Sequence, residues 1–161
     1  MSVSAAVEIE RRGADVMDEL EPLWLTLKNH HAACTPGQAV HDDASSWSQR
    51  REEYADWIAE EGSFFLVARD GERAVGYALV MVHTGSPTWV EPRRFALVQD
   101  LAVAADQQGK GVGRALLDRA HDESGCDVVE LAVLSANEPA LRFYERLGFE
   151  RRVETLRRTR Q

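Results

Sequence analysis

The chain has 161 residues, enough for one compact domain with a sizeable core and too few for a second. Apolar residues make up 44% and charged residues 29%, an ordinary globular composition that needs no disulfides or structural metal. With 27 Asp and Glu against 19 Lys and Arg the formal charge is −8, which argues against a nucleic-acid partner, because such binding needs a basic face to displace counterions.

Met1 to Arg12 shows no basic stretch followed by an apolar one, so no secretory signal is expected. Val7 to Arg11 reads as a short strand. Ala14 to about Cys34 reads as helix, since Val16, Leu20, Leu23, Trp24 and Leu27 recur at three- and four-residue steps. Pro22 inside that pattern predicts a kink or two shorter helices. A second helix is predicted from about Ser45 to Glu60, with Trp47, Tyr54, Trp57 and Ile58 as its inner face and Gly62 as its stop. Phe64 to Arg69 and Ala74 to Val82 are strand-like, and Asp70-Gly71 between them signals a hairpin. Thr84 to Arg94 reads as a loop, and Phe95 to Ala104 as a strand that runs into a glycine-rich turn. A helix follows from about Gly111 to Glu123, then a strand from Asp127 to Leu134. Glu138 to Leu147 reads as helix, with Asn137 as its N-cap and Gly148 as its stop. Phe149 to about Arg158 is predicted as a last strand.

The order is β-α-α-β-β-β-α-β-α-β over a single domain, residues 1–161. One βαβ unit follows an antiparallel meander, so the fold class is α/β with a mixed central sheet flanked by helices, not a doubly wound parallel sheet. No apolar run approaches the roughly 20 residues that span a bilayer, so no membrane partner is expected. Cys34 and Cys126 form no CxxC pair and read as two free thiols in a reducing cytoplasm. The five histidines (His30, His31, His41, His83, His121) show no HExxH pattern, and no metal site is expected.

The most informative segment runs from Leu101 to Leu117. Gly109, Gly111 and Gly113 alternate at the mouth of an amphipathic helix, where unpaired N–H groups and the helix dipole favour an anion. Missing side chains let a phosphate approach the backbone closely, and Lys110 and Arg114 add positive charge. A tight turn without any ligand is the alternative. The P-loop pattern fails, because Gly111 and Val112 follow Lys110 where Ser or Thr is needed. The dinucleotide pattern fails too, because Arg114 stands where a third glycine is required.

The stretch Gln108-Gly-Lys-Gly111-Val-Gly113, preceded by Leu101-Ala-Val103, resembles the coenzyme A signature of the GCN5-related N-acetyltransferase (GNAT) superfamily. A second hallmark is Asn137-Glu-Pro-Ala-Leu-Arg-Phe-Tyr144-Glu-Arg-Leu-Gly-Phe149. The resemblance covers about residues 64–150 and implies a GNAT-like acyl-CoA N-acyltransferase fold. It implies acetyl-CoA as cofactor, wedged between strands ending near Val103 and Leu134. The backbone of Leu101, Ala102 and Val103 would pair with the pantetheine arm like an added strand. The N–H groups of Gln108, Gly109, Lys110, Gly111, Val112, Gly113 and Arg114 would hold the pyrophosphate. Asn137 would touch the pantetheine arm, cap its helix, or both. Lys110, Arg114 and Arg142 would reach the adenosine phosphates or stand as solvated charge.

Tyr144 corresponds to the family's usual general acid, which protonates the departing thiolate. Free thiols titrate near ~8.5 and tyrosine near ~10, so the proton affinities suit the task. Its other reading is a core aromatic, since Leu141, Tyr144 and Leu147 lie at helical spacing. The general base stays open. Gln99 stands where many relatives carry glutamate, and glutamine cannot accept a proton from an ammonium group. Asp100 can, but strand alternation turns it to the opposite face. Glu91, His83 and His30 are the other candidates.

The leading function is therefore an acetyl-CoA-dependent N-acetyltransferase acting on a primary amine of a small molecule or peptide, by direct attack in a ternary complex. A CoA-binding module without turnover is the alternative that Gln99 keeps open. Residues 42–61 carry seven acids and two arginines, read as a cation-attracting surface or a solvated helix face. Phe149 to Gln161 carries five Arg and two Glu, read as a charge-protected edge strand or as the contact of a homodimer.

Overall fold

The computed structural model describes residues 7–160. The reading of Met1 to Ala6 lies outside them. Five strands form one sheet in the order of the chain: β1 (Glu8–Arg12), β2 (Phe64–Asp70), β3 (Arg73–Thr84), β4 (Arg94–Val103) and β5 (Val129–Leu131). The first four pair antiparallel, and β5 joins β4 in parallel. The helices are α1 (Glu21–Cys34), α2 (Asp43–Ala59), α3 (Val112–Ser124) and α4 (Glu138–Arg146), with short 3-10 segments at Ala14–Leu20 and Ala105–Gln107. This is the mixed α/β architecture predicted from the pattern of elements.

The break expected at Pro22 is present. A 3-10 segment ends at Leu20, and Pro22 sits in the first turn of α1, where its missing N–H would have had no intrahelical partner. Asp42 caps α2 by accepting the Ser45 N–H at 2.9 Å.

Helices cover both faces of the sheet centre. On β3, Gly76 faces Val112 and Leu116 of α3, while its neighbour Tyr77 faces Tyr54 of α2. Burial on both sides explains why Phe64–Ala68 is an unbroken buried run rather than an alternation. Phe65, Tyr54 and Tyr77 lie at the centre of that core, with the Tyr54 and Phe65 rings 5.4 Å apart, edge to face.

Two elements differ from the expectation. The strand predicted over Asp127–Leu134 shrinks to Val129–Leu131, because β4 accompanies it only at Ala96–Val98. The last strand, predicted from Phe149 to Arg158, does not form, and residues 150–160 are irregular and exposed. Its apolar residues explain this. Val153 and Leu156 are three apart, so an extended chain would turn them to opposite faces, and neither face would be apolar enough to bury. They stand 86% and 91% exposed.

Candidate active site

The site begins with a misfit in β4. Leu79 of β3 faces Asp100, but the next residue, Val80, faces Val98, so Gln99 is an extra residue bulged out of the ladder. On its other side β4 pairs with β5 only from Ala96 to Val98. From Gln99 to Val103, among the described residues, β4 keeps β3 on one edge and has no strand on the other. The Ala104 N–H bonds the Val75 carbonyl of β3, so in the alternation of an antiparallel ladder Ala102 turns its N–H and C=O to β3, while Leu101 and Val103 present theirs along an open edge. That is the shape a strand-like ligand can pair with.

The open edge leads into the glycine turn. The Gln108 side-chain amide donates to the Val103 carbonyl at 3.1 Å and ties the turn back to the strand. Arg73 grips Asp106 with two 2.8 Å bonds and holds that carboxyl down at about 2. Gly109 and Gly111 have φ of +76° and +85°, left-handed backbone in which other residues are strained. Gly111 is the N-cap of α3, and no side chain caps that end. The first N–H groups of α3 are left for an outside acceptor. A Cβ added to Gly113 would lie 3.4 Å from Phe143 and 3.8 Å from Val103. Gly113 thus lets the end of β4, the start of α3 and the face of α4 converge. Lys110 and Arg114 are exposed beside the turn, with Arg114 3.7 Å from Asp118. Arg142 is exposed too and is bonded to Glu138 at 3.3 Å.

Asn137 is 5% exposed and caps α4 as expected, accepting the Ala140 N–H at 3.3 Å. It has a second partner that no sequence pattern announces: His30 of α1 approaches its Oδ1 through Nε2 at 3.2 Å. Tyr144, two turns along α4, is half-buried between Phe143 and Phe149, with ring centroids 5.2 and 5.6 Å away. Burial pushes its phenol up to about 12, so it stays protonated at neutral pH. The same apolar surroundings would raise a thiol placed there.

Asp100 pairs with Leu79, on the face of Tyr77, and so turns toward α2. Gln99 is half-buried, and Asp100 is 9% exposed under α2. The Tyr54 hydroxyl donates to Asp100 Oδ2 at 2.5 Å and lies 2.7 Å from the Tyr77 hydroxyl. Arg50 stands 3.6 Å from the same carboxylate oxygen, with its guanidinium 4.3 Å over Trp24. Burial raises Asp100, against the opposing pull of Arg50 and Tyr54, and it raises both tyrosines. Asp100 is thus the anchor of a buried network. Of the other base candidates, Glu91 pairs with Arg93, and His83 packs on Phe95 with a buried, unpartnered Nε2. Among the described residues no group of three His, Cys, Asp or Glu could hold a metal.

The acetyltransferase (GNAT) family model matches residues 24–149. The mycothiol acetyltransferase of Rhodococcus jostii is 36% identical over 120 residues, 70% of this chain and 38% of that protein. The streptothricin acetyltransferase of Streptomyces lavendulae is 34% identical over 94 residues, 56% of this chain and 46% of that one. The match thus spans less than half the length of these curated relatives. Among solved structures, an aminoglycoside N-acetyltransferase, AAC(6')-Iy in complex with CoA, superposes with a TM-score of 0.69 at 13% identity over 99% of both chains.

Proposed function

The chain belongs to the acetyltransferase (GNAT) family, and from that premise we propose that it transfers an acetyl group from acetyl-CoA to a primary amine of a small molecule or peptide within a ternary complex. One observation carries the reading: the open edge of β4 runs straight into a left-handed glycine turn at the uncapped end of α3. The residues present fit the cofactor. The edge offers amide pairing to a pantetheine arm, and the turn offers N–H groups to a pyrophosphate with no Cβ in the way. Leu101 to Val103, Gln108 to Arg114 and Asn137 would hold it.

When bound, acetyl-CoA supplies an acetyl group activated as a thioester. The chain's own groups then have three tasks. The Leu101 N–H, on the open edge, can polarise a carbonyl. Tyr144 holds a proton on its hydroxyl for the departing sulfur. The amine must lose its proton before it attacks. Asp100 is committed to Tyr54 and Arg50, which leaves that proton to another acceptor on the substrate side.

A small-molecule acceptor is supported by relatives named for mycothiol, streptothricin and aminoglycosides. The test is thiol release from acetyl-CoA over a panel of amino sugars, polyamines, amino acids and peptide N-termini. Release with at least one of these amine classes, strongest among the small amines, is the expected outcome. Tight acetyl-CoA binding by calorimetry with no release across the panel would favour the second reading, a CoA-binding module, which Gln99 and the engaged Asp100 support.

A further inference from the structure

A polar pair joins α1 to α4. His30 of α1 brings Nε2 to 3.2 Å from Oδ1 of Asn137, the N-cap of α4, 107 residues further along. The hydrogens follow from the partners. Oδ1 already accepts the Ala140 N–H at 3.3 Å, so the atom facing His30 is the amide oxygen and not the amide nitrogen. An amide oxygen can only accept, so His30 Nε2 carries the hydrogen and donates it, and is no base at that atom. Cys34 Sγ, one turn along α1, lies 3.9 Å from the same nitrogen and is at most a weak second acceptor.

Two donors from two helices thus converge on one oxygen, and turning the amide over would set its NH2 group against both. Nδ2 is left with one direction. Asn137 is 5% exposed, yet Nδ2 has no partner among the described residues and is not one of the buried polar atoms without one, so it meets open space. The path of the chain identifies that space. β4 and β5 run parallel and part after Val98 and Leu131. Beyond Leu131 the chain leads to Asn137, which borders the gap from the side opposite Leu101 and Val103. α4 then carries on to Phe143, which packs at Gly113 of the glycine turn. Six residues of helix rise about 9 Å. Asn137 therefore stands well back from the phosphate end, on the course of an arm that follows the open edge.

We propose that His30 is a positioning residue for the cofactor: together with the Ala140 N–H it pins the Asn137 amide, so that Nδ2 stands as a hydrogen-bond donor to a carbonyl of the pantetheine arm. This rests on the acetyl-CoA reading above. His30 touches no cofactor atom in this role. It acts through the orientation of its neighbour, and what it supplies is a hydrogen at the Nε2 position.

The experiment measures, by calorimetry on the whole chain, the affinity for acetyl-CoA and for 3′-phosphoadenosine 5′-diphosphate, the part of the cofactor that lacks the arm. His30 is exposed, so its variants should fold. His30→Gln puts an amide N–H where Nε2 stands, while His30→Glu, of equal length, offers acceptors only. His30→Gln should bind acetyl-CoA as wild type does. His30→Ala should bind it at least ~3-fold more weakly, the scale of one net hydrogen bond. His30→Glu should be weaker still, because its carboxylate draws Nδ2 to itself. His30→Ala should hold the armless fragment as tightly as wild type. Unchanged acetyl-CoA affinity in His30→Ala, equal losses in His30→Gln and His30→Glu, or an equal loss for the fragment in His30→Ala would each overturn the role. A wild-type chain that binds neither ligand would instead overturn the cofactor reading beneath it, so the two failures are told apart.

Discussion

The two sides of the sheet are built to different standards. On one side, β2 and β3 carry unbroken buried runs of five and seven residues between helices, and Phe65, Leu66, Val67, Tyr77 and Leu79 have no exposed surface. On the other, β5 has three residues, none fully buried, and α4 has no buried residue at all. Packing density follows the division of labour. The first side holds itself together through side chains and needs nothing else. The second leaves backbone and half-buried apolar surface uncommitted, which is where a ligand can complete what the chain omits. Regions of low local stability are the ones that binding can organise.

The contrast can be broken most directly at the core. Phe65→Ala should cost about 3–5 kcal/mol of folding stability. Leu147→Ala, at the end of α4, should cost less than about 2 kcal/mol, because the site is already partly solvated. Denaturant unfolding of both variants measures the gap, and equal losses would erase the distinction. Gly111→Val comes next. Left-handed backbone costs a β-branched residue about 1–3 kcal/mol, which the turn can relieve only by moving its N–H groups. Acetyl-CoA affinity by calorimetry should fall at least ~10-fold while the melting temperature moves by a few degrees. Unchanged affinity would place the pyrophosphate elsewhere.

Tyr144→Phe removes one hydroxyl and keeps the ring between Phe143 and Phe149. Turnover should drop at least ~10-fold, with little change in cofactor affinity. The loss should shrink with an acyl donor whose leaving thiol is more acidic. Wild-type turnover on the true acceptor would end the general-acid role.

The smallest effects compare two aspartates six residues apart. Asp106 is lowered to about 2 by Arg73, so its contribution to stability is present above its ordinary value of 3.8 and fades as pH falls through about 2. Asp100 is raised by burial, so its contribution is full below 3.8 and is lost as pH rises through the raised value. Unfolding measured against pH should therefore show Asp106→Asn converging on wild type in acid. Asp100→Asn should gain on wild type as pH rises. The same slope for both would contradict the opposed environments.

Much of this was legible beforehand, for a reason that also explains the failures. Periodicity and punctuation report on neighbours in the chain. The hairpin at Asp70-Gly71, the break before Pro22, the Asn137 cap and the glycine turn were all readable from a few adjacent residues. The length of β5 was not, because its ends are set by where β4 stops accompanying it. Nor was the irregular tail, where Val153 and Leu156 are spaced so that an extended chain has no apolar face to bury. The pairs that define the site's surroundings, Tyr54 with Asp100 and His30 with Asn137, join residues 46 and 107 positions apart. No local pattern carries that information. Asp100 shares its face with the buried Ala102, two residues on, which fits its structural role.

The open edge of β4 has a consequence for inheritance. A surface made of side chains can be lost by one substitution, because each contact belongs to one codon. Leu101 and Val103 turn main-chain N–H and C=O groups to that edge, and every amino acid but proline supplies the same pair. The side chains there are then free to change with the packing beneath them while the edge keeps its spacing and its polarity. What selection can act on along this strand is its extended path and the absence of proline, so distant descendants can share the open edge while sharing few of its letters.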